Sequence, residues 1–269
     1  MFARFLTVIF LALPACTQTR PLTVIDSGHT LTAPGAISCT HRNEVDYNDD
    51  LVAGIARELT RNNRNFILTR TADKAVPPAD DLRYHLMDQL DDEKWRNNKE
   101  LYGRIALANE KQAGLYISIH HDSVQERHLL RAEDGKIVDV RDDHKQRFDP
   151  GYLIFIASDP RYPNTEQHYP DALKFAKIIA EKMQAMDRKP STYVEENLGD
   201  ENYQPIDLSL GIYNSKGMLA VLRNAKMPAV LIEAGVIVDV EDEKIVSSQA
   251  VKDQLAVLIA EGINAFLGR

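Results

Sequence analysis

Apolar residues fall along the chain in short compact runs separated by longer stretches of helical period. Residues 22–26 (LTVID), 66–69 (FILT), 115–120 (LYISIH), 151–157 (GYLIFIA) and 227–235 (MPAVLIEAG) are runs of this kind, bounded by Gly, Pro or polar residues. That pattern marks strands buried on both faces. Between the first two, Leu51, Val52, Ile55, Ala56 and Leu59 recur at three- and four-residue intervals. They predict a helix over 48–61, with Asn48 as N-cap and acids in the first turn, where the helix dipole favours them. Further helices are expected over 101–112, 171–186 (Leu173, Phe175, Ala176, Ile178, Ile179, Met183) and 251–267. Strands alternating with helices predict one α/β domain over 22–269, built on a mixed, mostly parallel sheet with helices on both faces.

Three stretches break the rhythm. Residues 74–99 and 124–150 are charged and weakly patterned, with an exposed helix expected around 81–90. Long inserts in a compact domain are often lids or regulatory segments. The expectation is that one of them covers a cleft until an activator protein binds, against the alternative of a passive surface loop. At the N-terminus, Arg4 precedes an apolar run over 5–13 and then Pro14 and Ala15, the three-part layout of a secretory signal over 1–15. The run is shorter than the roughly 20 residues a bilayer-spanning helix needs. A polar linker over 16–21 follows, and export to the periplasm or cell envelope is expected. Leu13-Pro14-Ala15-Cys16 is similar to a bacterial lipobox, which makes Cys16 a lipidation candidate and the first mature residue. A Cys16–Cys39 disulfide is the other reading, since the chain has two cysteines.

Composition narrows the partners. With 269 residues, 44% hydrophobic and 27% charged, the chain is an ordinary globular one, large enough to bury a core without disulfide staples. Its net charge is −8 and it carries no basic cluster, which argues against nucleic acid and against anionic lipid as targets. Membrane contact is expected only through the N-terminal lipid.

Three of the apolar runs end in residues fit for metal binding or proton transfer. VIDSGH delivers His29, YISIH delivers His120 and VLIE delivers Glu233. In open α/β sheets ligands bind outside the carboxyl ends of the strands, so these three side chains are expected to converge. Each alone reads as a turn histidine or a solvated strand-end acid. Together they point to a metal site, because a buried carboxylate or unpaired imidazole is costly without compensation.

The segments IDSGHTLTAPGA, HRNEVDYN, ILTRTAD, RIALANE, ISIHHDS and KMPAVLIEAGVIVDVEDE stand in an order that resembles the bacterial zinc-dependent N-acetylmuramoyl-L-alanine amidases of the amidase-3 type. The resemblance runs from about residue 22 to the C-terminus. It implies zinc held by His29, Glu44 (ahead of the first helix) and His120, with Glu233 as the catalytic glutamate. The turn Asp26-Ser27-Gly28-His29-Thr30 lacks the proline and final glycine of the family's DPGHG-like turn. Two histidines and a carboxylate suit zinc, which keeps a fourth position open in catalytic sites. The implied reaction is hydrolysis of the amide between N-acetylmuramic acid and L-alanine in peptidoglycan, with Glu233 as general base. Without the resemblance the residues say only metal-assisted amide hydrolysis. A zinc peptidase or deacylase acting on another envelope amide is one alternative, and a non-catalytic peptidoglycan-binding module is another.

Further residues carry weaker signals. Arg70 with Asp73, and Arg104 with Asn109, match the family pattern as packing pairs or substrate contacts. Asp122 is placed to orient a zinc histidine, as ligating imidazoles usually donate their other N–H to an oxygen. His121 replaces the small residue the resemblance leads one to expect. Neighbouring strand residues point to opposite faces, so His120 and not His121 is the expected ligand. His121 is left to line the cleft rim or to cap the strand. His41, His85, His128, His144 and His168 lie in polar stretches and are expected in solvent.

Overall fold

Seven strands form one sheet in the order β2-β1-β3-β9-β6-β8-β7. The structure is a computed structural model that describes residues 20–31, 33–70, 93–145, 149–192 and 203–268. The expected signal, Cys16 and the helix expected around 81–90 lie outside the described residues. The strands are β1 (Thr23–Ser27), β2 (Phe66–Leu68), β3 (Leu115–Asp122), β6 (Leu153–Ile156), β7 (Gln204–Asp207), β8 (Ile212–Asn214) and β9 (Ala229–Val236). Strands β2, β1, β3 and β9 run parallel, β6 turns antiparallel to β9, β8 follows β6 in parallel, and β7 closes the edge antiparallel. The sheet is therefore mixed and mostly parallel, as its apolar runs predict.

Helices cover both faces. On one lie α1 (Glu44–Arg61), α4 (Pro163–Ala185) and α7 (Gln249–Leu267). Their Leu51, Ile55, Phe175, Ile179 and Ile259 pack on Ile25, Ile117, Ile154 and Ile232. The other face is covered by α2 (Glu93–Glu110) and α5 (Ala220–Arg223), where Ile105 and Leu222 meet Val24, Tyr116, Leu153 and Leu231. Successive residues such as Val24 and Ile25 thus serve opposite cores, which is why the runs are apolar throughout rather than alternating.

Several boundaries differ from expectation for physical reasons. Helix α1 begins at Glu44 with Asn43 as its extended N-cap, four residues before the expected start. The segment EVDYN looks polar, yet Val45 and Tyr47 are buried, and Glu44 and Asp46 occupy the first turn. Asn48 is therefore no cap but an interior, buried helix residue. Helix α4 starts at Pro163, a position that needs no N–H donor, and its early turns are largely exposed, so no apolar stripe announces them. Helix α2 reaches back into the charged stretch as far as Glu93.

The stretch 124–150 is more ordered than its polarity suggests. It forms the hairpin β4 (Leu129–Arg131) and β5 (Ile137–Val140), turned at Gly135 with φ 84°, and then the short helix α3 (Asp142–Lys145). Leu129, Ile137 and Val140 pack with Val124, Val236 and Val238, which seats the hairpin beside the end of β9. Helix α6 (Val240–Ser247), which follows β9, is capped by Asp239, whose side chain accepts from the amides of Glu241 and Asp242.

Candidate metal centre

The carboxyl ends of the adjacent parallel strands β1, β3 and β9 lie at one end of the sheet. Strand β1 is fixed there by Asp26, whose Oδ1 accepts from Thr69 Oγ1 at 2.5 Å and from Arg104 at 3.0 Å, while its Oδ2 accepts from Ser118 Oγ at 2.7 Å. Burial works to raise the Asp26 carboxyl, but the Arg104 guanidinium and the two hydroxyls outweigh it and hold the group below the usual carboxylate range. Arg104, itself fully buried, also donates to the carbonyls of Ser27 at 2.7 Å and His29 at 2.5 Å. It therefore ties down the turn that presents His29, a residue in the left-handed region with φ 64°.

Glycines make the room. A Cβ on Gly28 would lie 2.3 Å from Nε2 of the His120 ring, so only glycine lets that ring stand over the turn. Gly35 has φ 79°, and a Cβ there would lie 2.3 Å from Glu44 Oε2 and 2.7 Å from the His29 ring.

Glu44, the first residue of α1, reaches both imidazoles. Its Oε2 is 2.9 Å from His29 Nε2 and its Oε1 is 3.1 Å from His120 Nδ1. Backbone amides of Ala36 and His121 donate to the same carboxylate at 3.1 and 3.3 Å. Burial alone would raise the Glu44 carboxyl, but its hydrogen bonds with His120 and His29 prevail and hold it well below the ordinary range, ionised. The two rings meet edge to face with centroids 4.9 Å apart. One donor atom from each of His29, Glu44 and His120 lies within 4.8 Å of the others, a group that can hold a metal ion.

Glu233 stands beside this triad by direct strand pairing, because it is the register partner of His120 across β3 and β9. Its Oε2 is buried and has no hydrogen-bond partner. Burial first, and then the charges of Asp122 and Glu44, push its carboxyl well above the ordinary value. Asp122 is pushed up to about 7, chiefly by burial and then by Glu44, against the lowering effect of the Ser123 amide. Its Oδ1 accepts from that amide at 2.7 Å, and the side chains it faces electrostatically are the acids Glu233 and Glu44.

His121 turns to the opposite face of β3, as strand alternation requires. It is 3% exposed, packs against the Tyr47 ring at 5.5 Å between centroids, and places Nδ1 2.8 Å from Asn48 Oδ1. Burial pushes its pKa down to about 3, so the ring is neutral. The sequence offers the cleft rim or a strand cap for His121, and the structure puts it inside, under α1.

Arg70 donates to Asp49 at 2.8 Å, to Ser27 Oγ at 3.1 Å and to the Gly28 carbonyl at 3.4 Å, which braces the His29 turn from the other side. Asp73 lies outside the described residues. Asn109 donates to Asn224 O at 3.0 Å and accepts from the Lys226 amide at 2.9 Å, tying α2 to the approach of β9. Cys39 donates its S–H to Val238 O at 3.1 Å. His41 is exposed on a groove of about 510 Å³ between residues 36–41 and the β4–β5 hairpin, next to the centre.

Sequence reasoning missed the supports. Gly28 and Gly35 are recognisable only once the rings above them are placed. The buried pair Arg188–Asp242 was missed as well. Arg188 donates to Asp242 Oδ1 and to the Ala234 carbonyl, and Asp242 Oδ2 accepts from the Val236 amide at 2.6 Å. A Cβ on Gly235 would lie 2.9 Å from Asp242 Oδ2, so the glycine after Glu233-Ala234 is what lets the pair lock the strand end. Glycine in IEAG and the acids of VDVEDE were the available signal. An oxygen- and nitrogen-rich donor triad beside an unbonded buried carboxylate is the equipment of metal-assisted hydrolysis.

A family model described as N-acetylmuramoyl-L-alanine amidase matches residues 23–265. No curated protein matches the sequence. Among solved structures, the N-acetylmuramyl-L-alanine amidase Ami1 from Mycobacterium smegmatis is 19% identical, with 92% of this chain and 97% of that chain covered and a TM-score of 0.61. The CwlD amidase from Clostridioides difficile, solved in complex with the GerS lipoprotein, is 17% identical over 92% and 98% of the two chains, also with a TM-score of 0.61. AmiC2 of Nostoc punctiforme, an N-acetylmuramoyl-L-alanine amidase, is 22% identical over 93% and 98%, with a TM-score of 0.55.

Proposed function

The chain belongs to the N-acetylmuramoyl-L-alanine amidase family, which cuts the amide between N-acetylmuramic acid and L-alanine in peptidoglycan, and we propose that it works with zinc held by His29, Glu44 and His120. The observation that carries this reading is the pairing of His120 with Glu233 on adjacent strands, which sets an unbonded carboxylate oxygen beside the donor triad. Two imidazoles and one carboxylate form a donor set that zinc accepts, with a position left for water or substrate. Zinc bound there supplies Lewis acidity, polarising the scissile carbonyl and lowering the pKa of water to about 7.

The remaining work falls to the protein. Glu44, held ionised by its two histidines, fixes both imidazoles toward one point. Arg104 and Arg70 hold the His29 turn still. Glu233 takes a proton from water as the water oxygen bonds to the lactyl carbonyl carbon. It then passes that proton to the L-alanine nitrogen as the C–N bond breaks. The products are the muramic carboxylate and a peptide with a free N-terminal amine. One carboxyl serves both halves, since the proton it accepts in the first step is the one it releases in the second.

Enzymes of this family act on peptidoglycan outside the cytoplasm, and among the described residues no helix is long and apolar enough to cross a membrane. The apolar leader before Cys16 fits export, with a lipid on Cys16 as anchor. The intact mass of the mature protein tests this, because a thiol or disulfide at residue 16 removes the lipid. The central experiment is metal analysis joined to digestion of purified sacculi by wild type and Glu233→Gln. Zinc in both proteins, with peptides bearing free N-terminal L-alanine released only by wild type, is the expected result. Cuts within the peptide stem would make the protein a peptidase. An inactive protein that sediments with sacculi would make it a binding module.

A further inference from the structure

His121 is the residue for which the family resemblance supplies no reason, and its surroundings supply one. Asn48 follows Glu44 by one helical turn on α1, so both side chains leave the same face of the helix. Asn48 is fully buried, with its side-chain amide 3.3 Å from the Gly28 carbonyl and 3.4 Å from Glu44 Oε1. A carbonyl and an ionised carboxylate only accept, so the group Asn48 turns toward them must be its NH2. Its Oδ1 then faces His121 Nδ1 at 2.8 Å, and because that oxygen only accepts, His121 Nδ1 must carry the proton. The order of donors is thus fixed along the chain, from His121 through Asn48 to Gly28 and Glu44. The His121 main-chain amide ends on the same Glu44 Oε1, which is also the oxygen that faces His120.

We infer that His121 and Asn48 are positioning residues of the metal centre: His121 orients the Asn48 amide, and Asn48 fixes the Glu44 carboxylate and the Gly28 turn against which His120 stands. The inference rests on the reading of Glu44 as a metal ligand. It explains why an imidazole occupies a place where a small residue is expected. Ring volume against Tyr47 is the competing explanation, and a ring without a donor separates the two.

The test measures zinc affinity by competition with a chromogenic chelator, together with thermal unfolding, on the full mature chain. His121→Phe keeps a ring beside Tyr47 and removes the donor, and is expected to weaken zinc binding by about 10- to 100-fold with a small change in thermal midpoint. Asn48→Ala should weaken it to a similar degree, and the double variant should lose little more, since the two act in series. His121→Gln restores an N–H donor and should recover most of the affinity. Unchanged zinc affinity in a folded His121→Phe, or losses that multiply in the double variant, would overturn the inference. Should His121→Phe not fold, unchanged zinc affinity in Asn48→Ala would overturn it equally. Wild type that binds no zinc would instead overturn the metal centre on which it stands.

Discussion

Asp26 and Glu233 stand on the two strands that flank β3, each with a buried carboxylate oxygen, yet their situations are opposite. Asp26 faces a guanidinium and two hydroxyls, its oxygens are used, and its carboxyl is held below the usual range. Glu233 has an oxygen with no partner and two further acids near it, and its carboxyl is held well above the usual range. A buried carboxylate oxygen is common to both, so burial alone does not decide which way a carboxyl is pushed. The difference is compensation. A fully answered charge holds geometry, and an unanswered one remains available to a proton.

Removing each acid should therefore break different things. Glu233→Gln is expected to cut kcat by about 10²- to 10⁴-fold while zinc content stays at the wild-type level and the thermal midpoint does not fall. A variant that lost its zinc instead would make Glu233 part of the donor set. Asp26→Asn leaves the buried Arg104 charge unanswered and is expected to cost about 3–5 kcal/mol in chemical denaturation. The sign of its pH dependence follows from the direction of the shift. The folded carboxyl lies below its ordinary value of 3.8, so its contribution is complete above that pH and is lost as pH falls through the folded value. The gap between wild type and Asp26→Asn should be full at pH 7 and close in acid below about pH 4. A gap that widened in acid would contradict the paired-charge account.

Smaller changes probe how finely the two regions are joined. Gly28→Ala forces the His120 ring to shift and is expected to cost about 1–3 kcal/mol, with weaker zinc binding in chelator competition. Lys244→Ala removes the Lys244–Glu241 bridge of 2.7 Å, whose side chains are 65% and 74% exposed. It should change stability by no more than about 0.5 kcal/mol. A larger effect would show that distance alone, without burial, sets the worth of an ion pair here.

Much of this arrangement was legible in the sequence. Apolar runs located the central strands, and their last residues named His29, His120 and Glu233 as neighbours in space. The resemblance added Glu44. The start of α1 was hidden because Val45 and Tyr47 sit among acids whose role is to occupy a helix N-terminus. Asn48 was misread as a cap because side-chain amides suit both caps and buried networks, and sequence spacing does not say which. Strand β7 escaped notice because it is a short, half-exposed edge strand, and β8 because, though buried, its three residues are too few to make a sustained apolar run. The glycines escaped because the atoms they yield to come from distant segments.

The ladder between β3 and β9 has a consequence for how such a protein tolerates change. His120 and Glu233 are register partners on hydrogen-bonded strands, about 4.8 Å apart across the sheet, so their separation is set by the backbone and not by any loop. After β3 the chain runs through a short turn at residues 126–128 into the hairpin of residues 129–140, and neither belongs to the ladder that pairs His120 with Glu233. Segments beyond the strand ends can therefore change length or conformation without moving the backbones of His120 and Glu233 apart.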